Sequence, residues 1–300
     1  MVLVAASALV GAGSDERLVD AARRADVQAV RTLVRGGRDV DRPDADGTTA
    51  LHWAVHRNDV EMADLLIAAG AKVSATNRYG VAPIVLAAAN GSAAMIRSLL
   101  RGGADAKAAM PDGDTALMAA ARSGRVDAID TLIAHGADVH AAESQYGQTA
   151  LMWAAAEGNA LAILALVAAG ARVDARSTSE QGFTPLLFAV RSGSVDSVPA
   201  LLDAGANVNE TLAGGMSALV LATVNARYDV AELLLKRGAD PNASAQGWAA
   251  LHQLTWTRRP STSVVFPGPV PRDQLDSLAF AERLLSYGEN PHARLTREPD

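Results

Sequence analysis

The sequence predicts an all-α solenoid of about eight stacked helix-turn-helix units, and three periodic observations carry that prediction. Glycines recur at Gly37, Gly70, Gly103, Gly136, Gly170, Gly205, Gly238 and Gly288, at spacings of 33, 33, 33, 34, 35, 33 and 50 residues. Four residues before each stands a leucine: Leu33, Leu66, Leu99, Leu132, Leu166, Leu201, Leu234 and Leu284. Between the glycines a second phrase returns, as Thr49-Ala50-Leu51-His52, Ala82-Pro83-Ile84-Val85, Thr115-Ala116-Leu117-Met118, Thr149-Ala150-Leu151-Met152, Thr184-Pro185-Leu186-Leu187, Ser217-Ala218-Leu219-Val220 and Ala249-Ala250-Leu251-His252. A unit this short cannot bury its own apolar face, so it must stack on copies of itself.

The units fall at about 15–43, 44–76, 77–109, 110–143, 144–178, 179–211, 212–243 and 244–293. Each reads as a turn, a short helix, a second turn, a longer helix and a stop. Asp15 to Gly37 supplies the helix pair without a clear hairpin, as an N-terminal capping unit should. Thr49, Thr115, Thr149, Thr184 and Ser217 are hydroxyl N-caps for the first helices, and Pro185 suits a first helical position. Ala54, Ala87, Ala120, Ala154 and Ala189 let neighbouring helices approach closely. The second helices carry Ile96 and Leu99, Ile129 and Leu132, Ile163 and Leu166, or Val198 and Leu201, at the i, i+3 spacing of one face. They stop at glycine because a left-handed C-cap costs glycine no Cβ clash. The last unit is stretched by about 17 residues, 50 minus 33, within about 258–277, where Pro260, Pro267, Pro269 and Pro271 rule out helix.

Composition excludes several function classes. The 27 basic and 33 acidic side chains leave a net charge of −6, whereas a general nucleic-acid binder carries a basic face and usually a pI above about 9. With no cysteine, there is no disulfide framework, thiolate nucleophile or Cys-ligated zinc. No apolar run approaches the roughly 20 residues that span a bilayer. Residues 1–14 stand apart from the array: Met1 to Gly13 read MVLVAASALVGAG, followed by Ser14, Asp15, Glu16 and Arg17. This resembles the h-region and cleavage zone of a secretory signal without its basic n-region. Two readings follow, an exported, periplasmic chain or a frayed tail on a cytoplasmic one. Only Lys72, Lys107 and Lys236 are lysines among the 27 basic residues, a bias toward arginine that fits a GC-rich bacterial genome.

Catalytic phrases are missing from the sequence. None of the three lysines follows a glycine, so no Walker loop can be written, and there is no HExxH, GxSxG or GxGxxG. The chain is read as non-enzymatic, with no cofactor. Its six histidines raise the question of a metal. His52 and His252 open first helices, His135 and His140 flank Gly136, His56 follows a first helix and His292 lies near the end. Strung along different units, they do not form the converging set with second-shell partners that a metal site needs.

The segments Asp46-Gly47-Thr48-Thr49-Ala50-Leu51-His52-Trp53-Ala54 and Leu66-Ile67-Ala68-Ala69-Gly70-Ala71 resemble the ankyrin repeat. The resemblance covers about residues 15–293. The family's TPLH phrase is weakened here, since Val85, Met118, Met152, Leu187 and Val220 stand in the histidine's place. In those units the histidine's bonds to the hairpin should be absent, with apolar packing substituting. For fold, the resemblance implies a solenoid with short β-hairpin turns, held at His52 and His252 by hydrogen bonds to the hairpin. For function, it implies a protein partner bound along the concave face of hairpin tips and first helices.

Carried onto this chain, that face selects Arg57, Arg78 with Tyr79, Asp112 with Asp114, and Arg122 in the first half. The second half contributes Tyr146, Glu157, Phe183, Arg191, Met216, Trp248 and Trp256. Tyr, Trp and Arg dominate interface hot spots, where single truncations can cost about 2 kcal/mol or more. The ordinary alternative is that hairpin aromatics pack on the next unit and arginines solvate a surface. Trp53 and Trp153, within first helices, are read as packing residues.

The expected function is a non-catalytic, monomeric protein-interaction module. One rival is a structural or protective segment of a longer array. The other is an enzyme or ligand-binding protein whose site lies in the insertion, around Val264-Val265-Phe266-Pro267, or in a further C-terminal region. His292-Ala293-Arg294-Leu295 looks like a strand opening another hairpin, so residues 294–300 are either a short tail or the start of a further repeat.

Overall fold

The computed structural model describes residues 17–245, 248–257 and 275–293. The signal-like stretch, nearly all of the proline-rich insertion and the tail at 294–300 lie outside the described residues. Eight helix pairs follow one another: α1 (Leu18–Arg23) with α2 (Val27–Arg35), α3 (Ala50–His56) with α4 (Val60–Ala68), α5 (Pro83–Ala89) with α6 (Ala93–Arg101), and α7 (Ala116–Ser123) with α8 (Val126–Ala134). Then come α9 (Ala150–Ala156) with α10 (Ala160–Ala168), α11 (Pro185–Ser192) with α12 (Ser197–Asp203), α13 (Ala218–Val224) with α14 (Tyr228–Lys236), and α15 (Ala250–Thr257) with α16 (Ser277–Ser286). Each first helix packs on the first helix of the next pair, and second helices stack likewise from α2 to α12.

Local chemistry sets the helix starts. The hydroxyls of Thr115, Thr149, Thr184 and Ser217 accept the amides of Met118, Met152, Leu187 and Val220, three residues on, satisfying donors that a helix cannot pair internally. Second helices stop at glycine with positive φ, as at Gly103 (+93°), where open space surrounds the missing Cβ. The requirement there is the left-handed backbone, not crowding. Hairpins are minimal: β1 (Ser244–Ala245) pairs with β2 (Trp248–Ala249), and single bridges join Ala109 to Thr115, Ala142 to Thr149 and Thr211 to Ser217.

The core is one continuous apolar strip from Leu18 to Leu284. Leu51, Ile84, Leu117, Leu151, Leu186 and Leu219 fill it from the first helices, and Leu66, Leu99, Leu132, Leu166, Leu201, Leu234 and Leu284 from the second. Each buried leucine contributes about 1.5–3 kcal/mol relative to exposure.

His52 joins one unit to the next. Its Nδ1 lies 3.2 Å from the Thr49 amide and 2.8 Å from the Thr49 hydroxyl, and its Nε2 lies 3.0 Å from the Val81 carbonyl of the following hairpin. An amide can only donate, so Nδ1 accepts and Nε2 carries the proton given to Val81. His252 makes the same helix-start bond, accepting the Ala249 amide (3.3 Å), but its Nε2 meets the Ala293 carbonyl (3.0 Å) at the end of its own unit. Apolar packing is not the whole substitute where histidine is missing. At Met118 the sulfur accepts the Thr115 amide at 3.5 Å.

At α15, Ala249 stands, as Ala82 does at α5, where five other units have a hydroxyl. Its place is taken from the far end of the unit, where Glu289 Oε1 accepts the Leu251 amide at 2.8 Å. Glu289 replaces the alanine that follows glycine at Ala71, Ala104, Ala137, Ala171, Ala206 and Ala239, and it is 3% exposed.

Two measurements check this account. Leu132→Ala is expected to lower stability by about 2–5 kcal/mol in urea titrations, while Leu161→Ala, at a position 69% exposed, should change it by less than about 0.5 kcal/mol. The second concerns pH. Burial lowers the His52 pKa from its ordinary value, so its contribution is present at neutral pH and is lost on acidification. Burial raises Glu289 to about 7, so its contribution is complete below the ordinary carboxylate range and is lost as pH rises through about 7. Glu289→Gln keeps the acceptor without the charge, and it should gain stability relative to wild type on going from pH 5 to pH 8. A pH-independent difference would contradict the buried carboxyl.

Candidate functional site

The candidate site is the face made by the hairpin tips and first helices. Three of the hairpins are closed by the side chain of their opening residue. Asp44 Oδ1 accepts the amides of Asp46 and Thr48 at 3.0 Å. Asn77 Oδ1 accepts those of Tyr79 (3.0 Å) and Val81 (3.1 Å). The Glu143 carboxylate takes Gln145 (2.6 Å), Tyr146 (2.9 Å) and Gln148 (3.0 Å). Burial opposes ionisation of Asp44, yet the Thr48 and Asp46 amides, with Arg23, hold its carboxyl below the usual range.

Successive tips are then tied by backbone bonds. The Arg78, Ser144, Thr178 and Ala213 amides donate to the Asp46, Asp112, Tyr146 and Gln181 carbonyls at 2.9, 2.8, 2.7 and 2.9 Å. Pro111 has no amide to give, and its ring packs against Gly80 instead. A Cβ at Gly80 would stand 2.3 Å from Pro111 Cδ. The tips therefore form a stiff row, which presents side chains with little ordering cost on binding.

Arginines facing this row are mostly neutralised inside it. Arg78 pairs with Asp46 at 2.7 Å and lies 4.8 Å over the ring of Tyr79, which is 59% exposed. Arg122 pairs with Asp114 and lies 4.5 Å over Trp153. Arg23 pairs with Asp44 at 2.9 Å and lies 5.0 Å over Trp53. Arg57 is exposed and donates to the Arg23 carbonyl. Trp53 and Trp153 do pack, as their helical positions imply, but each is half-buried as the platform for an arginine of the preceding unit. The Nε1 of each has no hydrogen-bond partner.

The remaining predicted residues divide between exposed and inward. Asp112 is exposed, and its carbonyl accepts the Ser144 hydroxyl at 2.6 Å. Tyr146 is 46% exposed, and Glu157 is exposed at the end of α9. Phe183 differs from the sequence expectation. It is 6% exposed, its ring tilted against Phe188 at 5.1 Å, so it shapes a groove instead of reaching out of one. Met216 is half-buried, with its carbonyl accepting the Leu212 amide at 2.9 Å. Trp248 is half-buried and meets His252 edge-on at 6.4 Å. Trp256 belongs to α15, and its side chain lies outside the described residues.

Two open grooves mark the face. One, of about 590 Å³, is lined by Arg23, Asp44, His52, Trp53, His56 and Leu86 among others. The second, of about 640 Å³, brings together Tyr146, Phe183 and Arg191 with Phe188, Glu180 and Gln181. Arg191 lies 4.6 Å over Phe183 and 4.9 Å over Phe188, and partial burial lowers its pKa from the ordinary value. Among the described residues, no group of three or more His, Asp or Glu side chains is arranged to hold a metal. Nor is any helix there long and apolar enough to cross a membrane.

The family model for ankyrin repeats (3 copies) matches residues 18–110, 84–177 and 166–245, overlapping spans that take in more than half of the chain. The chain belongs to the ankyrin-repeat family. Ankyrin repeats are generally protein–protein interaction modules and are typically non-enzymatic. The fold is similar to the human ASB11 ankyrin repeat domain, at 28% identity and a TM-score of 0.66, over 75% of this chain and 99% of that one. No curated protein matches the sequence.

The pairing of Arg122 between Asp114 and Trp153 has a measurable consequence. Arg122→Ala is expected to lower stability by about 1–2 kcal/mol, through the lost ion pair and cation–π contact. Arg172→Ala, which removes an exposed pair with Asp174, should change it by less than about 0.5 kcal/mol. Equal effects in urea titrations would show that the stacked pair carries no special weight.

Proposed function

We propose that this chain is a non-catalytic, monomeric module that binds an extended segment of a partner protein along its hairpin and first-helix face. The observation that carries the reading is the row of hairpin tips tied by backbone hydrogen bonds, from which Tyr79, Arg78, Asp112 and Tyr146 project into solvent, with Glu157 exposed beside them at the end of α9. Aromatic and arginine side chains on a stiff support are what interface hot spots are made of. The membership of the chain in a family of protein-interaction modules supports the same conclusion.

The test uses residues whose side chains are exposed, so that folding is preserved. A variant carrying Arg78→Glu, Tyr79→Ala, Tyr146→Ala and Glu157→Arg is compared with wild type as bait in source-cell lysate. The expected outcome is a partner retained by wild type and reduced at least tenfold with the variant, about 1.4 kcal/mol of binding or more, at an unchanged thermal midpoint. Equal retention by both baits would remove this face as the binding surface.

A further inference from the structure

The groove at Arg191 differs chemically from the rest of the face. Arg122 stands seven residues after the helix-opening Thr115, Arg191 seven after Thr184, and Arg23 thirty-three before His56, itself seven after Thr49. The three arginines share one register of the array. Arg122 is neutralised by Asp114, immediately before the helix-opening residue of its own unit. Arg23 is neutralised by Asp44, five residues before the opening residue of the next unit. At Arg191 the first of these places holds Phe183 and the second Leu212, 6% and 7% exposed. Both routes to a carboxylate are closed by apolar side chains. Among the described residues the Arg191 side chain has neither an ion pair nor a hydrogen bond, only the two phenyl rings beneath it. Glu180 lines the same groove but forms no ion pair with it.

A guanidinium lying on aromatic faces keeps its in-plane N–H donors free, in the fork that matches a carboxylate. We propose, resting on the binding face described above, that Arg191 anchors an Asp or Glu side chain of the partner segment. A neighbouring apolar residue of that segment would be seated beside Tyr146. The occupant is an acidic peptide, argued from charge complementarity: one unpaired cation, on an aromatic floor, inside a groove. A phosphorylated side chain fits less well, because it brings close to two negative charges to a single arginine with Glu180 nearby.

The test pans a random peptide library against the immobilised full chain. One selected peptide is then synthesised with its acid intact, with the amide in its place, and with phosphoserine there. Each is measured against wild type, Arg191→Gln, Arg191→Lys and Tyr146→Ala, with thermal melts recorded for every variant. The expected result is enrichment of Asp or Glu beside an apolar residue. The amide peptide, or Arg191→Gln, should weaken binding about tenfold, and combining the two should add little. Arg191→Lys should not restore wild-type affinity. The amide peptide acts on the unaltered protein, so it decides the matter even if a variant unfolds. Selected peptides that lack an acid, or that respond to Tyr146→Ala but not to Arg191→Gln, would overturn this inference and leave the binding face standing. Tighter binding of the phosphoserine form would overturn the choice of a carboxylate. Retention of no peptide would overturn both this inference and the peptide-docking face on which it rests.

Discussion

A unit of about 33 residues with one apolar stripe per helix has no interior of its own, and the rest of the molecule follows from how that stripe is covered. Leu66, Leu99, Leu132, Leu166 and Leu201 have no exposed surface because each second helix is walled by its own first helix and by neighbouring second helices. The same burial sets the spacing of the units, since a leucine can be covered only if the next unit repeats at the same rise. Hairpin tips therefore arrive in a regular row, close enough for the Arg78 amide to reach Asp46 and the Thr178 amide to reach Tyr146. The stiffness of the candidate binding face is thus a by-product of leucine burial some way behind it.

Polar links between units are placed where packing alone would leave donors unpaired. His52 spans from the start of its own helix to the next hairpin, whereas His252 joins its helix start to Ala293 at the end of its own unit. Between them Met118 offers sulfur in place of nitrogen. Glu289 caps a helix that lacks a hydroxyl of its own, at the cost of burying a carboxyl with one oxygen unpartnered. His52 thus ties neighbouring units, while Met118, His252 and Glu289 close polar groups within their own units.

Charge on the hairpin and first-helix face is handled unit by unit. Arg23 and Arg122 each combine a carboxylate with an indole of the following unit, which leaves their cations screened. Arg191 keeps the aromatic support and loses the carboxylate, because apolar residues occupy both positions from which one could come. Arg191 is therefore a cation with neither a carboxylate nor a hydrogen-bond partner for its side chain among the described residues, and it lies in a groove with Tyr146 at its side.

How far the sequence could be read depends on the distance over which each feature is determined. The helix starts at Thr49, Thr115, Thr149, Thr184 and Ser217, the glycine stops and the leucine faces were all legible. Capping, left-handed turns and i, i+3 faces are decided within a few residues. The histidine links were legible because the phrase that contains them carries their role. The burial of Phe183 was not, since it depends on how the Phe188 ring and the Arg191 guanidinium stack on it. Nor were the pairs Arg23 with Trp53 and Arg122 with Trp153, thirty and thirty-one residues apart, or the cap given to Leu251 by Glu289 across 38 residues. A repeat spacing shows that such positions come together, but which side chain turns inward depends on the space its neighbours leave. The sequence by itself determined the solenoid of stacked helix pairs, because its caps, glycine stops and leucine faces are each fixed within a few residues. Only the stacking of units decided that Arg23 and Arg122 meet both a carboxylate and an indole while Arg191 meets phenyl rings alone, because the partners come from residues distant in sequence.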